Sequence, residues 1–579
     1  MWIPKPFTLI GGLIFLLTFS LNAQRSEGNE AVLEEIIDEV ENFKLYDRKD
    51  YPLGRYLPKV YEQDAEFAEE KLKELERINL ETLSETERIS LELLEFSLQN
   101  RIDLYNFGLY LNPIQADQGF HLSLNYSIRP IRDFRGAKNY LKTLNDIPRF
   151  AEEHFVVLRE ALEKGVSQPK VIFDGYESTY NQHITEEYGN NPFYAPFKDL
   201  PSNLTSQQRD SILKAAKESI EKAVVPTFKK IKIFFESEYL PKTRSSIGIS
   251  DTPGGKEVYQ NRIDYYTTTN SYTANDIHNI GLKEVARIKS EMEKIIESVG
   301  FKGAFSDFLE FLRTDPQFYV TEGEDLLKEA RNIAKQIDAQ LPAYFSTLPR
   351  KPYGVKKVPD ALAPKYTGGR YSGSYSSTEP GYYLVNTYKL DSRPLYVLPS
   401  LTLHEAVPGH HLQMSLNQEL SDSIPGFRRN MYISAFGEGW ALYTEFLGDE
   451  MGIYKTPYEK FGKLTYEMWR ATRLVVDTGI HAKGWTKQQV LDFMKNNTAL
   501  SLHEINTETD RYIAWPGQAL SYKMGELKIR ELRRKAENEL GADFDIREFH
   551  EVILGQGTVT LPILEGRVNR YIESRNMAE

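Results

Sequence analysis

Three of the chain's ten histidines and a glutamate fall within Leu403-His404-Glu405-Ala406-Val407-Pro408-Gly409-His410-His411. Imidazoles and carboxylates are common zinc ligands, and a carboxylate beside a metal is suited to move a proton to and from water. In zinc peptidases two histidines four apart on a helix share one face, about 6 Å apart along the axis. His404 and His410 are six apart, so on a straight helix they would point in different directions. His411 would face the same way as His404, but about 10 Å further along. Pro408-Gly409 offers the way out, because proline lacks an N–H and clashes with the preceding turn, so the chain can bulge and absorb two residues. That makes His410 the expected second ligand and His411 the alternative. A third protein ligand would leave one position open for water and substrate. Glu438 is the candidate, in Phe436-Gly437-Glu438-Gly439-Trp440, where flanking glycines permit close backbone approach and the apolar run after them reads as a buried helix. Glu445 is the next choice.

Helices are the elements that must position these groups. Ile89, Leu93 and Phe96 recur on one helical face after a capping signal at Ser84-Glu85-Thr86-Glu87. A second helix is expected from Thr273, with Asp276 completing its cap, through Val285, Ile288, Met292 and Ile295 to a stop at Gly300. Between Tyr366 and Val397, Gly, Ser, Tyr and Pro crowd together, and Gly381 to Thr387 follows a Pro-Gly turn signal. A small sheet is expected there, just upstream of the histidines. No repeat or long linker divides the chain; a soft boundary near residue 245 separates an N-terminal helical region, 24–245, from a zinc-binding catalytic region, 246–579. One continuous globule is expected.

Residues 1–23 read as a signal peptide: a positive charge at Lys5, an apolar run from Phe7 to Leu21, and Ala23 before polar Gln24. The apolar run is short for a membrane span, so export to the periplasm or medium is expected, with no stable membrane anchor after cleavage. There is no cysteine, hence no disulfide and no thiol on which to carry a lipid. The net charge of −12 gives no basic field for nucleic acid.

The stretches His404 to His411, Glu438 to Glu445 and Trp515 to Gly525 resemble the HEAxPGHH, EGWALYxE and WPGQALSYKxG motifs of the domain-of-unknown-function 885 family. The resemblance extends over most of the chain, including Ile277 to Leu282. It implies membership in the wider group of zincin metallopeptidases with a glutamate third ligand, similar to the mostly helical carboxypeptidase Taq and angiotensin-converting enzyme types. The implied fold is mainly α, with a small β-sheet beside the active-site helix. The family does not identify a substrate.

One zinc ion per chain, held by His404, His410 and Glu438, would then lower the pKa of a bound water to about 7. Glu405 is the expected general base. A donor for the developing oxyanion is sought downstream among Tyr522, Tyr512 and His481. Tyr522 comes first, because similar peptidases place a tyrosine donor late in the chain. For substrate contact, the Gly381 to Thr387 strand, with Tyr383 and Asn386, is expected to pair an extended peptide along its edge. Arg470, Arg473 and Arg511, with Gln518 nearby, are candidates to bind a peptide's terminal carboxylate. The leading expectation is an exported zinc peptidase acting on short peptides; a terminal carboxylate bound by the arginines would make it a carboxypeptidase. The alternatives are a zinc hydrolase of another amide or ester, and a non-catalytic metal-stabilised envelope protein in which His411 closes the site.

Overall fold

Each of the two capping signals opens a helix. Ser84 accepts the Glu87 N–H and Glu87 returns a bond to the Ser84 N–H at the start of Glu85–Asn106, and Thr273 and Asp276 do the same for α1, Ala274–Ser298. The computed structural model describes residues 28–577 other than 117, 361 and 377. The expected signal peptide lies outside the described residues. No helix among them is long and apolar enough to cross a membrane.

The fold is mainly α with small sheets. Six further helices frame the histidine segment: α2 (Leu398–Glu405), α3 (His410–Gln418), α4 (Ser434–Glu450), α5 (Pro457–Lys483), α6 (Leu502–Ala514) and α7 (Leu520–Leu540). Helix α5 runs through the interior with almost every residue from Phe461 to His481 buried, and α1 packs along it. Helix α4 crosses α7 with backbones nearly touching. A Cβ built on Gly525 would lie 1.9 Å from the Ala435 carbonyl, and one on Gly439 would lie 2.6 Å from Gly525. The glycine beside Glu438 therefore serves close approach, as its position in the sequence suggested. The main hydrophobic cluster runs from Ile89 to Ile572 and draws on both sides of residue 245.

Next to α2 sits a three-stranded sheet, β1 (Tyr353–Lys357), β2 (Gly369–Ser372) and β3 (Gly381–Val385), ordered β1-β3-β2. Its first strand precedes the stretch in which a sheet was expected. Strand β3 is parallel to β1 and antiparallel to β2, with Tyr371 opposite Tyr383. This corrects one expectation. The strand starting at Gly381 ends at Val385 and is central, so both its edges are occupied and no peptide can add to it.

Candidate metal centre and cleft

Helix α2 stops at Glu405 and α3 starts at His410, so the proline and glycine produce a complete break between two helices. Four residues cross the gap, including a cis Val407–Pro408 bond. The backbone groups released by the break find partners. Gly409 N–H donates to Leu403 O and His411 N–H to Ala406 O, each at 3.0 Å. From α4, Trp440 Nε1 donates to Pro408 O at 2.8 Å and Thr444 Oγ1 to Leu403 O at 3.0 Å. Gly409 is required, since a Cβ there would sit 2.0 Å from the His404 carbonyl.

The break turns His410 back toward His404, with ring centroids 4.8 Å apart. Glu438, one turn into α4, meets them: its Oε2 is 3.5 Å from His404 Nε2 and 3.3 Å from His410 Nε2. One ligand atom from each of the three residues lies within 4.8 Å of the others. Tetrahedral donors about 2.05 Å from a zinc ion are about 3.3 Å apart, and the two separations made by Glu438 match that spacing. The second nitrogen of His404, Nδ1, is 2.8 Å from Glu445 Oε1. Glu445, the next choice after Glu438 in the sequence, thus meets the far nitrogen of His404 and lies outside the group of three. Arg470 lies 3.5 Å from the same oxygen. Burial would depress the pKa of His404, but the Glu438 and Glu445 carboxylates outweigh it and raise it to about 9. Burial likewise acts to raise the pKa of Glu438, and the two histidines hold it well below the usual carboxylate range.

His411 points elsewhere. Its Nε2 donates to Lys351 O and its Nδ1 accepts from the Tyr371 hydroxyl, both at 3.0 Å, and burial lowers its pKa to about 4. Glu405, at the end of α2, faces the cleft, and its Oε2 accepts the Tyr371 N–H at 2.6 Å. Tyr371 thus fixes the carboxylate with its backbone and His411 with its side chain.

A cleft of about 340 Å³ opens over these groups, lined by His404, Glu405, His410, Glu438, Tyr522, Arg470, Arg473, Arg511 and Gln518. The Tyr522 hydroxyl accepts from Arg511 Nη2 at 3.3 Å, which leaves its own O–H free to donate into the cleft. The same guanidinium group donates to Gln518 Oε1 at 3.0 Å. Arg473 stacks 4.3 Å from the Tyr522 ring centroid. Behind Tyr522, the fully buried Lys523 joins Glu467, Glu284 and Glu526 at 2.9, 3.2 and 2.8 Å, tying α7 to α5 and α1.

Four candidates do not face the cleft. His481 is fully buried, its Nδ1 accepting the Ile249 N–H and its Nε2 donating to Tyr512 O, so both nitrogens serve the backbone. Tyr512 is buried behind Arg473, accepting from Arg473 Nε and Trp469 Nε1, each at 2.8 Å. It positions that arginine and touches no substrate space. Tyr383 lies on the buried face of β3. Asn386 uses its amide to donate to Ala363 O, Tyr366 O and Thr367 O and to accept the Tyr388 N–H, which knots the loop after β3.

Two tyrosines went unanticipated. Tyr371 is one, and the other is Tyr432, whose hydroxyl donates to Glu438 Oε1 at 2.8 Å from just outside α4. Nothing local marks either among 35 tyrosines, although Tyr432 stands six residues before Glu438 and so within reach of its helix.

The family described as "Bacterial protein of unknown function (DUF885)" matches residues 43–568. The chain belongs to this family. No curated protein matches it. Two solved structures, each described as a putative lipoprotein, share its fold. One, from Colwellia psychrerythraea, is 26% identical with a TM-score of 0.81, covering 95% of this chain and 100% of its own. The other, of unknown function from Shewanella oneidensis, is 17% identical with a TM-score of 0.62, covering 94% of this chain and 99% of its own.

Proposed function

We propose that this DUF885 protein is an exported zinc-dependent metallopeptidase of the zincin type that hydrolyses short peptides, with His404, His410 and Glu438 as ligands. The observation that carries the reading is the pair of donor separations, 3.5 and 3.3 Å, set beside a tethered Glu405 carboxylate in an open cleft. A divalent ion held there supplies a Lewis acid that acidifies water and polarises a carbonyl. Glu405 takes the proton from the attacking water and returns it to the leaving amine. Tyr522 donates to the oxygen that gains charge as the carbonyl carbon becomes tetrahedral. Arg473 and Arg511 border the same space and suit a terminal carboxylate, which favours removal of residues from a peptide's C-terminus. Strand β2 is an edge strand of the sheet, and its Gly369, Arg370 and Tyr371 line the cleft, so it takes over the peptide-pairing role first expected of β3. Export is supported by the apolar leader and by the lipoprotein descriptions of the two structural relatives.

Zinc-loaded protein offered dipeptides, oligopeptides and simple esters is expected to cleave the peptides and release C-terminal residues. Ester hydrolysis without peptide cleavage would move the assignment to another acyl substrate, since metal and base do not select the acyl group. Glu445→Gln keeps a hydrogen-bond acceptor for His404 but removes the charge. Competition with a chelator is expected to show zinc held about 10- to 100-fold more weakly. An unchanged affinity would remove Glu445 from the outer sphere of the site.

A further inference from the structure

A smaller chamber of about 50 Å³ adjoins the cleft, walled by Leu326, Val385, Val397, Leu398 and Leu500. The two spaces meet at Gly368, Leu401, Tyr466 and Glu504, which line both. Leu401 stands one helical turn before Glu405 on α2, so the junction borders the base. We infer that Glu504 is a specificity-determining residue that receives a cationic nitrogen of the substrate at this junction, either a peptide α-ammonium or a basic side chain. The inference rests on the peptidase reading above.

Three carboxylates line the cleft, and two have partners. Glu405 accepts the Tyr371 N–H, while Glu438 sits among His404, His410 and Tyr432. The Glu504 carboxylate has neither a hydrogen bond nor an ion pair within 4 Å among the described residues, while its backbone N–H donates to Ser501 Oγ at 3.2 Å. That is unexpected from its position. Ser501 caps α6 and Glu504 is the third helical residue, which is the capping-box arrangement. At Ser84/Glu87, Thr273/Asp276 and Thr456/Glu459 the acidic side chain folds back onto the cap N–H. Glu504 forgoes that bond and faces the junction instead.

The neighbouring cations do not neutralise it. Arg470 lies 3.5 Å from Glu445, and Arg473 is paired with Glu508 at 2.9 Å. Arg393, the strongest attractive charge on Glu504, comes no nearer than an unpaired distance and donates its Nε to Tyr388 O. Burial accordingly pushes the Glu504 pKa up, the mark of a carboxylate lacking compensation. Arg470 already stacks on the Tyr466 ring, 4.8 Å from its centroid, so what a substrate cation would gain at the junction is a charge-assisted hydrogen bond to the Glu504 carboxylate.

The test uses the full zinc-loaded protein and short synthetic peptides, supplied with free or acetylated N-termini and with lysine or norleucine at each position, read by mass spectrometry and kcat/KM. Peptides bearing a free amine or lysine beside the cleaved bond are expected to be preferred. Glu504→Gln should lower kcat/KM for them by about 10- to 100-fold while sparing their neutral counterparts. Loss of the preference on acetylation identifies the α-ammonium, and loss on norleucine substitution identifies the side chain. Gly368→Ala provides an independent variant. The nearest atoms to a Cβ there are the Tyr466 hydroxyl at 3.7 Å, Arg393 Nη1 at 3.9 Å and Leu401 at 4.0 Å, so it narrows the junction without a clash and should weaken the same preference. Equal effects of both variants on cationic and neutral peptides, with cleavage still dependent on Glu405, would overturn the role of Glu504 and leave the peptidase reading intact. Absence of any Glu405-dependent cleavage overturns both.

Discussion

Glu405→Gln is expected to bind zinc as tightly as the parent protein and to lose turnover by about 10²- to 10⁴-fold, the usual contribution of a positioned general base. The substitution is nearly isosteric, and the amide oxygen can still accept the Tyr371 N–H that holds the carboxylate at 2.6 Å, so the cleft keeps its shape. What disappears is basicity: an amide does not take the proton from water at neutral pH. Because Glu405 is outside the group formed by His404, His410 and Glu438, the metal has no reason to leave. Elemental analysis and peptide turnover on one preparation check both halves. Retained turnover with retained zinc would remove Glu405 from the chemistry and turn attention to Tyr432, the hydroxyl on Glu438.

The convergence of His404 and His410 was legible in the sequence because it is set locally. His404, Glu405 and His410 lie within seven residues, and the only question was how the chain between them bends, which proline and glycine answer through backbone sterics. Capping boxes are local too, hence the agreement at Ser84 and Thr273. His481, Tyr512, Tyr383 and Asn386 failed for a common reason. Each is a polar side chain in a promising segment, yet whether it meets a cleft or a backbone carbonyl is decided by elements far away in sequence. Ile249 claims His481, and Ala363 with Tyr366 claims Asn386. Glu504 shows the converse. Its sequence context reads as an ordinary cap, and only the packed structure shows the carboxylate turned away from it. The order of strands in the sheet was similarly out of reach, since alternation identifies a strand but not its neighbours.

His404→Ala and His410→Ala are each expected to reduce zinc from about one ion per chain to background, whereas His411→Ala should keep it. Three protein ligands with one open position define a catalytic zinc site, and losing one ligand from three leaves too few donors to compete with water. His411 is adjacent in sequence to a proposed ligand, but its two nitrogens are spent on Tyr371 and Lys351, each at 3.0 Å. Its removal should instead cost about 1–3 kcal/mol of stability, through the space left by a buried ring and the loss of a partner for a half-buried hydroxyl and a half-buried carbonyl. Metal content and thermal unfolding measured side by side therefore separate two roles that neighbouring histidines play. Zinc lost from His411→Ala as completely as from His410→Ala would mean four protein ligands and a closed structural ion, with no coordination position left for water or substrate. The open-site outcome requires the asymmetry between positions 410 and 411, and that asymmetry arises from the break at Pro408-Gly409, which starts α3 so that one histidine faces Glu438 and the next faces the sheet.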